Sequence, residues 1–173
     1  MLYRKYFSNI AEILFLFLEG EMKKSNILLF LAVCIFSLFF ATGCGNKTAL
    51  TVDQFKSISE KAGYKVEEVK DFQLKDVQSV TLAKGKDYQV EFYQTNDNSS
   101  AVYLYNINRD MFEKSKKNIS SESSVSIGNY AKYTLSSNGD YMVASQIDNT
   151  FVYAKVKEEN KEKVKSLLKE LGY

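Results

Sequence analysis

The residues that precede one cysteine in the chain predict that its thiol takes part in a reaction. Lys23 and Lys24 form a cationic start, residues 27–40 form an apolar run, and small residues at 41–43 lead directly to Cys44. A cationic end stays on the cytoplasmic side while an apolar segment enters the bilayer, and small residues leave room for a signal peptidase. The pattern therefore predicts an export signal that ends at a reactive thiol.

This order of residues resembles the bacterial lipobox, whose usual form is Leu-Ala/Ser-Gly/Ala-Cys; Ala41 stands where leucine is commoner. The resemblance implies that the sulfur of Cys44 receives a diacylglyceryl group and that the chain is then cut between Gly43 and Cys44. Residues 22–43 would be the signal peptide. The mature protein would be a lipoprotein held by membrane lipid on the extracytoplasmic face of the cell membrane.

Two simpler interpretations of this segment are less favoured. An uncleaved membrane helix needs about 20 apolar residues, and residues 27–40 are too few. A disulfide at Cys44 lacks a partner, because Cys34, the other cysteine, lies in the segment to be discarded.

The first 21 residues precede a complete signal that begins at Met22. We predict that residues 1–21 are a misassigned extension upstream of the true start. The alternative is a translated extension that adds a second apolar segment at residues 10–18.

The chain after the predicted cleavage site has the length of one domain. We expect a lipidated linker at residues 44–50 and a single domain at 51–173. The chain has 23 Lys and Arg residues, of which four precede Cys44, and 21 Asp and Glu residues, of which three precede Cys44. The charges of the remaining residues nearly balance. The domain therefore lacks the excess of basic residues that would indicate nucleic-acid binding. With no later cysteine, the domain must be stabilised without internal disulfides.

Hydrophobic periodicity and turn residues predict the elements of the domain. Thr51 and Gln54 form a capping box before a helix at 52–62, and period-two alternation predicts a hairpin from strands 77–83 and 88–95. A second helix is predicted at 100–116, followed by a mobile loop at 118–126.

Three further strands and a closing helix are predicted in the last third of the chain. Strands 130–135, 141–147 and 151–157 are joined by the turn pairs Asn138-Gly139 and Asp148-Asn149. The closing helix carries an apolar stripe at positions 164, 167, 168 and 171. The element order αββαβββα predicts an α+β fold, an antiparallel sheet of about five strands with the helices on one face.

The mature half also resembles small lipoproteins of low-GC Gram-positive bacteria, in the run from Asp148 to Tyr153 and the ending from Leu168 to Tyr173. This resemblance implies no activity.

Catalytic groups are scarce in the sequence. The chain has no histidine, and its one cysteine after the signal is the predicted acylation site, which disfavours His-based proton transfer, cysteine nucleophiles and common zinc sites. We expect no cofactor, no metal and no catalytic residue. A carboxylate-based envelope hydrolase is the alternative, and it would use acids that flank the strands: Asp87, Glu91, Asp140 and Asp148. Turn formation is the favoured role for the aspartates at strand ends.

Tyrosines are the residues that could mark a binding surface. Alternation places Tyr93 with Gln89 and Glu91, and Tyr130 with Lys132, opposite apolar neighbours. Tyr93 and Tyr130 are therefore the candidates for an exposed binding surface, while packing within the sheet is the favoured role for the tyrosines as a set.

These observations favour a membrane-anchored, non-catalytic binding or accessory domain. Its expected partner is an envelope protein or a cell-wall ligand, bound on the sheet face that helices leave uncovered.

Overall fold

A computed structural model of the protein describes residues 46–117 and 119–173. The predicted extension, the signal peptide and the acylation site at Cys44 lie outside the described residues. No helix in the described ranges is long and apolar enough to cross a membrane. Within these two ranges, three α-helices and seven β-strands follow in the order αβββαββββα: α1 (Val52–Lys61), β1 (Lys65–Glu68), β2 (Val77–Lys84), β3 (Gln89–Thr95), α2 (Asn98–Ser115), β4 (Ser120–Ile127), β5 (Tyr130–Ser137), β6 (Asp140–Ile147), β7 (Thr150–Lys157) and α3 (Lys161–Glu170).

All seven strands form one antiparallel sheet in the spatial order β1-β2-β3-β7-β6-β5-β4. The last four strands form a continuous meander. The pairing of β3 with β7 joins this meander to the first three strands, and Phe92 lies opposite Val152 in that pairing.

Helices cover both faces of the sheet. On the first face, α1 and α3 pack over the larger apolar cluster, which includes Phe55, Phe92 and Leu168. On the second face, α2 packs over a smaller cluster with Phe112 and Phe151. The prediction of helices on one face is therefore wrong.

The burial of β6 shows why a second layer is needed. Every residue from 141 to 147 is buried, so the side chains on both faces of this strand are removed from water. A strand covered on one face only would alternate between buried and exposed positions. The second helix supplies the cover, with Tyr105 and Phe112 facing the sheet.

The prediction of about five strands is also wrong, because β1 and β4 add an edge strand on each side. The serine-rich segment around β4 was expected to be a mobile loop, yet residues 120–127 pair with β5 over the whole strand. Serine favours turns, but backbone pairing and ion pairs outweigh that preference here. Glu122 of β4 lies 2.9 Å from Lys116 and accepts a hydrogen bond of 2.9 Å from the Tyr133 hydroxyl.

The short strand β1 is stabilised in a similar way. Its charged sequence gave no strand signal, but Glu67 pairs with Lys84 of β2 and Glu68 pairs with Lys56 of α1. Charged side chains are common on edge strands, where they discourage pairing with other chains.

The local signals of the other elements are confirmed. Thr51 and Gln54 form the predicted capping box of α1. The turn at Asn138-Gly139 has positive φ at both residues, and Asp148 also has positive φ in the next turn. These turns fix the register of the meander.

Candidate functional site

A lysine-lined cleft of about 730 Å³ lies on the first face of the sheet, between its outer strands and α3. The register of β4 with β5 sets its floor, because Ser123 lies opposite Thr134 and Val125 lies opposite Lys132. These four side chains share the face on which α3 packs, but the helix covers the inner strands and leaves the outer pair open. The walls include Lys47, Lys165 and Lys169.

Packing of α3 decides which of its residues reach the cleft. Val164, Leu167 and Leu168 are almost fully buried against the sheet. Residues four apart on a helix lie on the same side, so Lys165 and Lys169 are neighbours at the edge of the buried stripe. Both ammonium groups therefore border the open strands.

Lys132 is the cationic side chain in the floor of the cleft. Its Nζ donates a hydrogen bond of 3.1 Å to the backbone oxygen of Tyr173. Burial lowers the pKa of Lys132, and the positive charges of Lys47 and Lys165 lower it further. These two effects disfavour the charged form of Lys132, whereas its hydrogen bond to the Tyr173 oxygen favours that form.

Lys47 enters the cleft from the first described residues of the chain. Its Nζ donates to the backbone oxygen of Gly172 at 2.6 Å and lies 3.7 Å from the centre of the Tyr130 ring. Its backbone is held by the side-chain amide of Asn129, which accepts from Lys47 N at 2.9 Å and donates to Lys47 O at 2.7 Å. Desolvation lowers the pKa of Lys47.

The cleft has a net positive charge. Its four lysines face one acidic side chain, Glu162, which pairs with Lys165 at 2.9 Å. In the part of the chain that the structure describes, no Asp or Glu carboxylate lies within ion-pair distance of Lys47, Lys132 or Lys169, and Lys132 instead donates to the oxygen of Tyr173, the last residue of the sequence. Among the side chains that line the cleft, lysines therefore outnumber acidic residues by four to one.

This arrangement can bind an anion. Lysine ammonium groups donate hydrogen bonds as compact charges, and the hydroxyls of Ser123, Thr134 and Ser166 add further donors. The described residues contain no cluster of three acidic, cysteine or histidine side chains that could hold a metal ion.

Tyr93, a predicted surface residue, is only partly exposed and belongs to the second face of the sheet. Its ring packs 5.6 Å from that of Phe151, and its hydroxyl donates to Glu91. Burial raises the pKa of Tyr93, and the bond to Glu91 raises it further. The ring supports the packing beneath α2.

Tyr130 is 9% exposed and lies in the core of the first face, so the prediction that it is exposed is wrong. Alternation groups Tyr130 correctly with Lys132, but the polar residues on this strand face do not make the face open to solvent. Lys47 instead covers its ring. Because Tyr93 and Tyr130 lie on opposite faces of the sheet, they do not form one binding surface.

The four acids considered for a hydrolase are not brought together as a pair. Asp140 and Asp148 stand at opposite ends of β6, eight residues or about 26 Å apart along an extended strand. Asp140 pairs with Lys157 at 2.8 Å. Asp87 accepts from Asn160, and Glu91 accepts from Gln89 and Tyr93.

Sequence reasoning missed the lysines of the cleft because they come from distant segments. Lys132 gave the one usable signal, since it shares a strand face with Tyr130, and a buried tyrosine implies that a neighbouring lysine is partly buried too. The two α3 lysines looked like an ordinary solvated helix face.

The fold defines an α+β protein with a seven-stranded antiparallel sheet between two helical layers. No protein-family model and no curated protein matches the chain. A solved structure of a GTP binding regulator from Thermotoga maritima is similar at 20% sequence identity, with a TM-score of 0.40, over 73% of this chain and 91% of the other. A superposition this loose supports no conclusion about function.

Proposed function

We propose that this protein is a lipoprotein, anchored through acylated Cys44 on the extracytoplasmic face of the cell membrane, whose domain binds an envelope ligand without catalysis. The lipobox-like run from Ala41 to Cys44 supports the anchor. The cleft supports binding, because it gathers cationic and hydroxyl donors around an open volume of suitable size for a small ligand or polymer segment.

One observation carries this proposal, namely that few residues in the sequence separate Cys44 from Lys47 of the cleft. Lys47 is three positions after Cys44 in the sequence, and three residue steps span at most about 11 Å. Residues 47–50 are not a free spacer, because Lys47 is hydrogen-bonded to Asn129, and Ala49 and Leu50 pack against the core. A lipid on Cys44 would therefore hold the cleft close to the membrane surface.

The absence of a paired acid site among Asp87, Glu91, Asp140 and Asp148 favours binding over hydrolysis. Asp140 is neutralised by Lys157 and Asp148 forms a turn with positive φ. Both aspartates have structural roles that account for them fully.

Mass spectrometry of the protein extracted from its own membrane tests the anchor. We expect a mature chain that begins at Cys44 and carries the mass of a diacylglyceryl group. The Cys44→Ala form is the matched control and should retain the signal peptide without added lipid mass. An unmodified Cys44 within a chain that still contains residues 22–43 would refute the proposal.

Crosslinking in the membrane then tests binding. The acylated protein and the Cys44→Ala form are compared after treatment with a short amine-reactive crosslinker. A defined envelope partner attached through lysines of the cleft, and captured with the acylated form alone, is the expected result. Equal capture by both forms would show that the lipid on Cys44 does not direct binding.

A further inference from the structure

We infer that β4 pairs edge to edge with β4 of a second copy of this chain, antiparallel and about a two-fold axis at Ser123. Among residues 46–117 and 119–173, β4 is the last strand on its side of the sheet, so no described strand pairs with its outer edge. The backbone N–H and C=O groups along such an edge can pair with a further strand.

The two edges of the sheet differ in how they resist pairing. The edge strand β1 has only four residues, and Lys65, Glu67 and Glu68 are charged. Short, charged edge strands discourage contact with another chain. The edge strand β4 is twice as long, carries one charged residue, and pairs with β5 in an unbroken register over residues 120–127. The β4 edge is therefore the one suited to a further strand.

The charge of Glu122 does not protect the β4 edge. Its carboxylate lies 2.9 Å from Nζ of Lys116 and accepts a hydrogen bond of 2.9 Å from the hydroxyl of Tyr133. Tyr133 belongs to the buried cluster of the second face. These contacts hold the carboxylate over its own sheet, so the backbone groups along the outer edge remain accessible.

Exposed isoleucines at the two ends of β4 indicate that the partner is a second copy. Ile119, just before the strand, is 92% exposed, and Ile127, its last residue, is 56% exposed. Alternation places both on the first face, with Val125, which packs against the core of that face. In an antiparallel pair about Ser123, a residue four positions before the axis lies opposite the residue four positions after it. Ile119 of each copy therefore lies opposite the partner's Ile127.

The neighbouring registers are less favourable. An axis at Glu122 would place the two Glu122 carboxylates directly opposite each other, and like charges in that position are destabilising. An axis at Ser124 would leave Ile127 opposite a serine, Ser121. With the axis at Ser123, Glu122 faces the partner's Ser124 and both isoleucine pairs form. Charge and apolar contact thus select the same register.

The symmetry of this pair also fits the proposed anchor, on which this step of the inference rests. Facing residues share a face, so the two-fold axis is perpendicular to the sheet and the first faces of both copies point the same way. Ala49 and Leu50 pack on that face. The segments that lead to Cys44 therefore lie on one side of the paired sheets, as two anchors in one membrane require. A contact along one strand edge is small beside the roughly 800 Å² per partner of stable complexes, so we expect weak pairing that confinement to a membrane strengthens.

Disulfide formation in single-cysteine variants tests the pairing and its register. The acylated protein with Ser123→Cys is placed in phosphatidylcholine vesicles and oxidised with copper phenanthroline. Cα atoms of directly opposed residues lie about 4.5–5.5 Å apart, within the range that a disulfide spans. Ser121→Cys is the matched control, because it is also an exposed serine of β4 on the same face. In the inferred register the two copies of residue 121 are offset by four residues, or about 14 Å. We expect a disulfide with Ser123→Cys and none with Ser121→Cys.

A second pair of variants tests the isoleucine contacts. Ile127→Ser, added to the Ser123→Cys protein, removes both cross-strand isoleucine pairs and should raise the protein density at half-maximal crosslinking about 2- to 30-fold. Ile107→Ser makes the same change at an exposed position of α2 and should leave that density unchanged. Both changes affect exposed side chains, so the fold should be retained.

Several results would overturn the inference. They are the absence of a 123–123 disulfide at every density, equal crosslinking by Ser121→Cys and Ser123→Cys, and equal effects of Ile127→Ser and Ile107→Ser. Attachment of Ser123→Cys to a different protein in the native membrane, without a 123–123 disulfide, would also overturn it. The mass of the Cys44 peptide from the same sample reports separately on the anchor. An unmodified Cys44 together with a 123–123 disulfide would refute the anchor and support the paired edge.

Discussion

The segment at residues 46–50 packs on the domain partly through Asn129, so replacing Asn129 should weaken this packing. Its side-chain amide makes two hydrogen bonds with the backbone of Lys47, at 2.9 and 2.7 Å. Asn129→Ala removes both. Each bond contributes about 0.5–1.5 kcal/mol net, so docking of the segment should weaken by about 1–3 kcal/mol, or about 5- to 150-fold in the opening equilibrium.

Hydrogen exchange measured by mass spectrometry on a peptide that covers residues 46–50 reports this opening directly. We expect faster exchange in this peptide and unchanged exchange in β6 and β7, because the core beneath the segment is not altered. Asn129 does not have positive φ, so alanine introduces no backbone strain at this position.

Asn149→Ala is the matched control. Its side chain also serves a turn, where it donates to Thr95 O at 3.3 Å, but it does not touch the N-terminal segment. Exchange at residues 46–50 should stay unchanged in this variant. The reasoning is refuted if Asn129→Ala leaves the segment as protected as before, or if both variants release it equally.

Three further predictions concern the stability of the domain. Phe92→Ala should lower the free energy of unfolding by about 3–5 kcal/mol in urea titrations, because the buried ring stacks on Phe55 at 4.7 Å; a loss below about 1 kcal/mol would contradict this packing. Gly139→Ala should cost about 1–2 kcal/mol in the same assay, because φ is +78° while space for a Cβ is free; a neutral effect would show that the turn has another conformation. Burial raises the pKa of Tyr141 to about 12, so the unfolded state loses the phenol proton at lower pH than the folded state does. The free energy of unfolding should therefore fall as the pH rises from about 10 to 12. Unfolding titrations of Tyr141→Phe across this range should show a smaller fall than those of the unaltered protein.

Local elements of the fold could be predicted from the sequence where one short motif determines the backbone. Thr51 and Gln54 satisfy each other's neighbouring amides within one turn, and Asn138-Gly139 adopts positive φ at both positions. Such features depend on residues a few positions apart, so tertiary structure has little opportunity to override them.

The two edge strands could not be predicted from composition, because their pairing partners stabilise them. The hairpin between β4 and β5 did carry one overlooked signal, the two-residue turn Gly128-Asn129, with positive φ at Gly128. Serines before that turn suggested a loop, and the number of strands was underestimated as a result.

The cleft depends on three segments that are far apart in the sequence. Lys47, Lys132 and Lys165 meet because the meander places β5 beside the space that α3 leaves uncovered. Single-sequence periodicity assigns each lysine to a face of its own element but does not show which faces meet. The lipid anchor at Cys44 depends on a local motif and remains a prediction.

The pairing of β3 with β7 has a consequence for a chain that is synthesised from its N-terminus. Residues 89–95 have no partner on one side until residues 150–157 have followed them, so the sheet stays open while the intervening helix and three strands are made. Contacts between such distant segments form slowly. The last helix must then close over the first face, so the cleft is completed only after nearly the whole chain has been synthesised. Until that moment the unpaired edge of β3 is accessible to proteases and to other unfolded chains, and the arrival of β7 is the step that protects it.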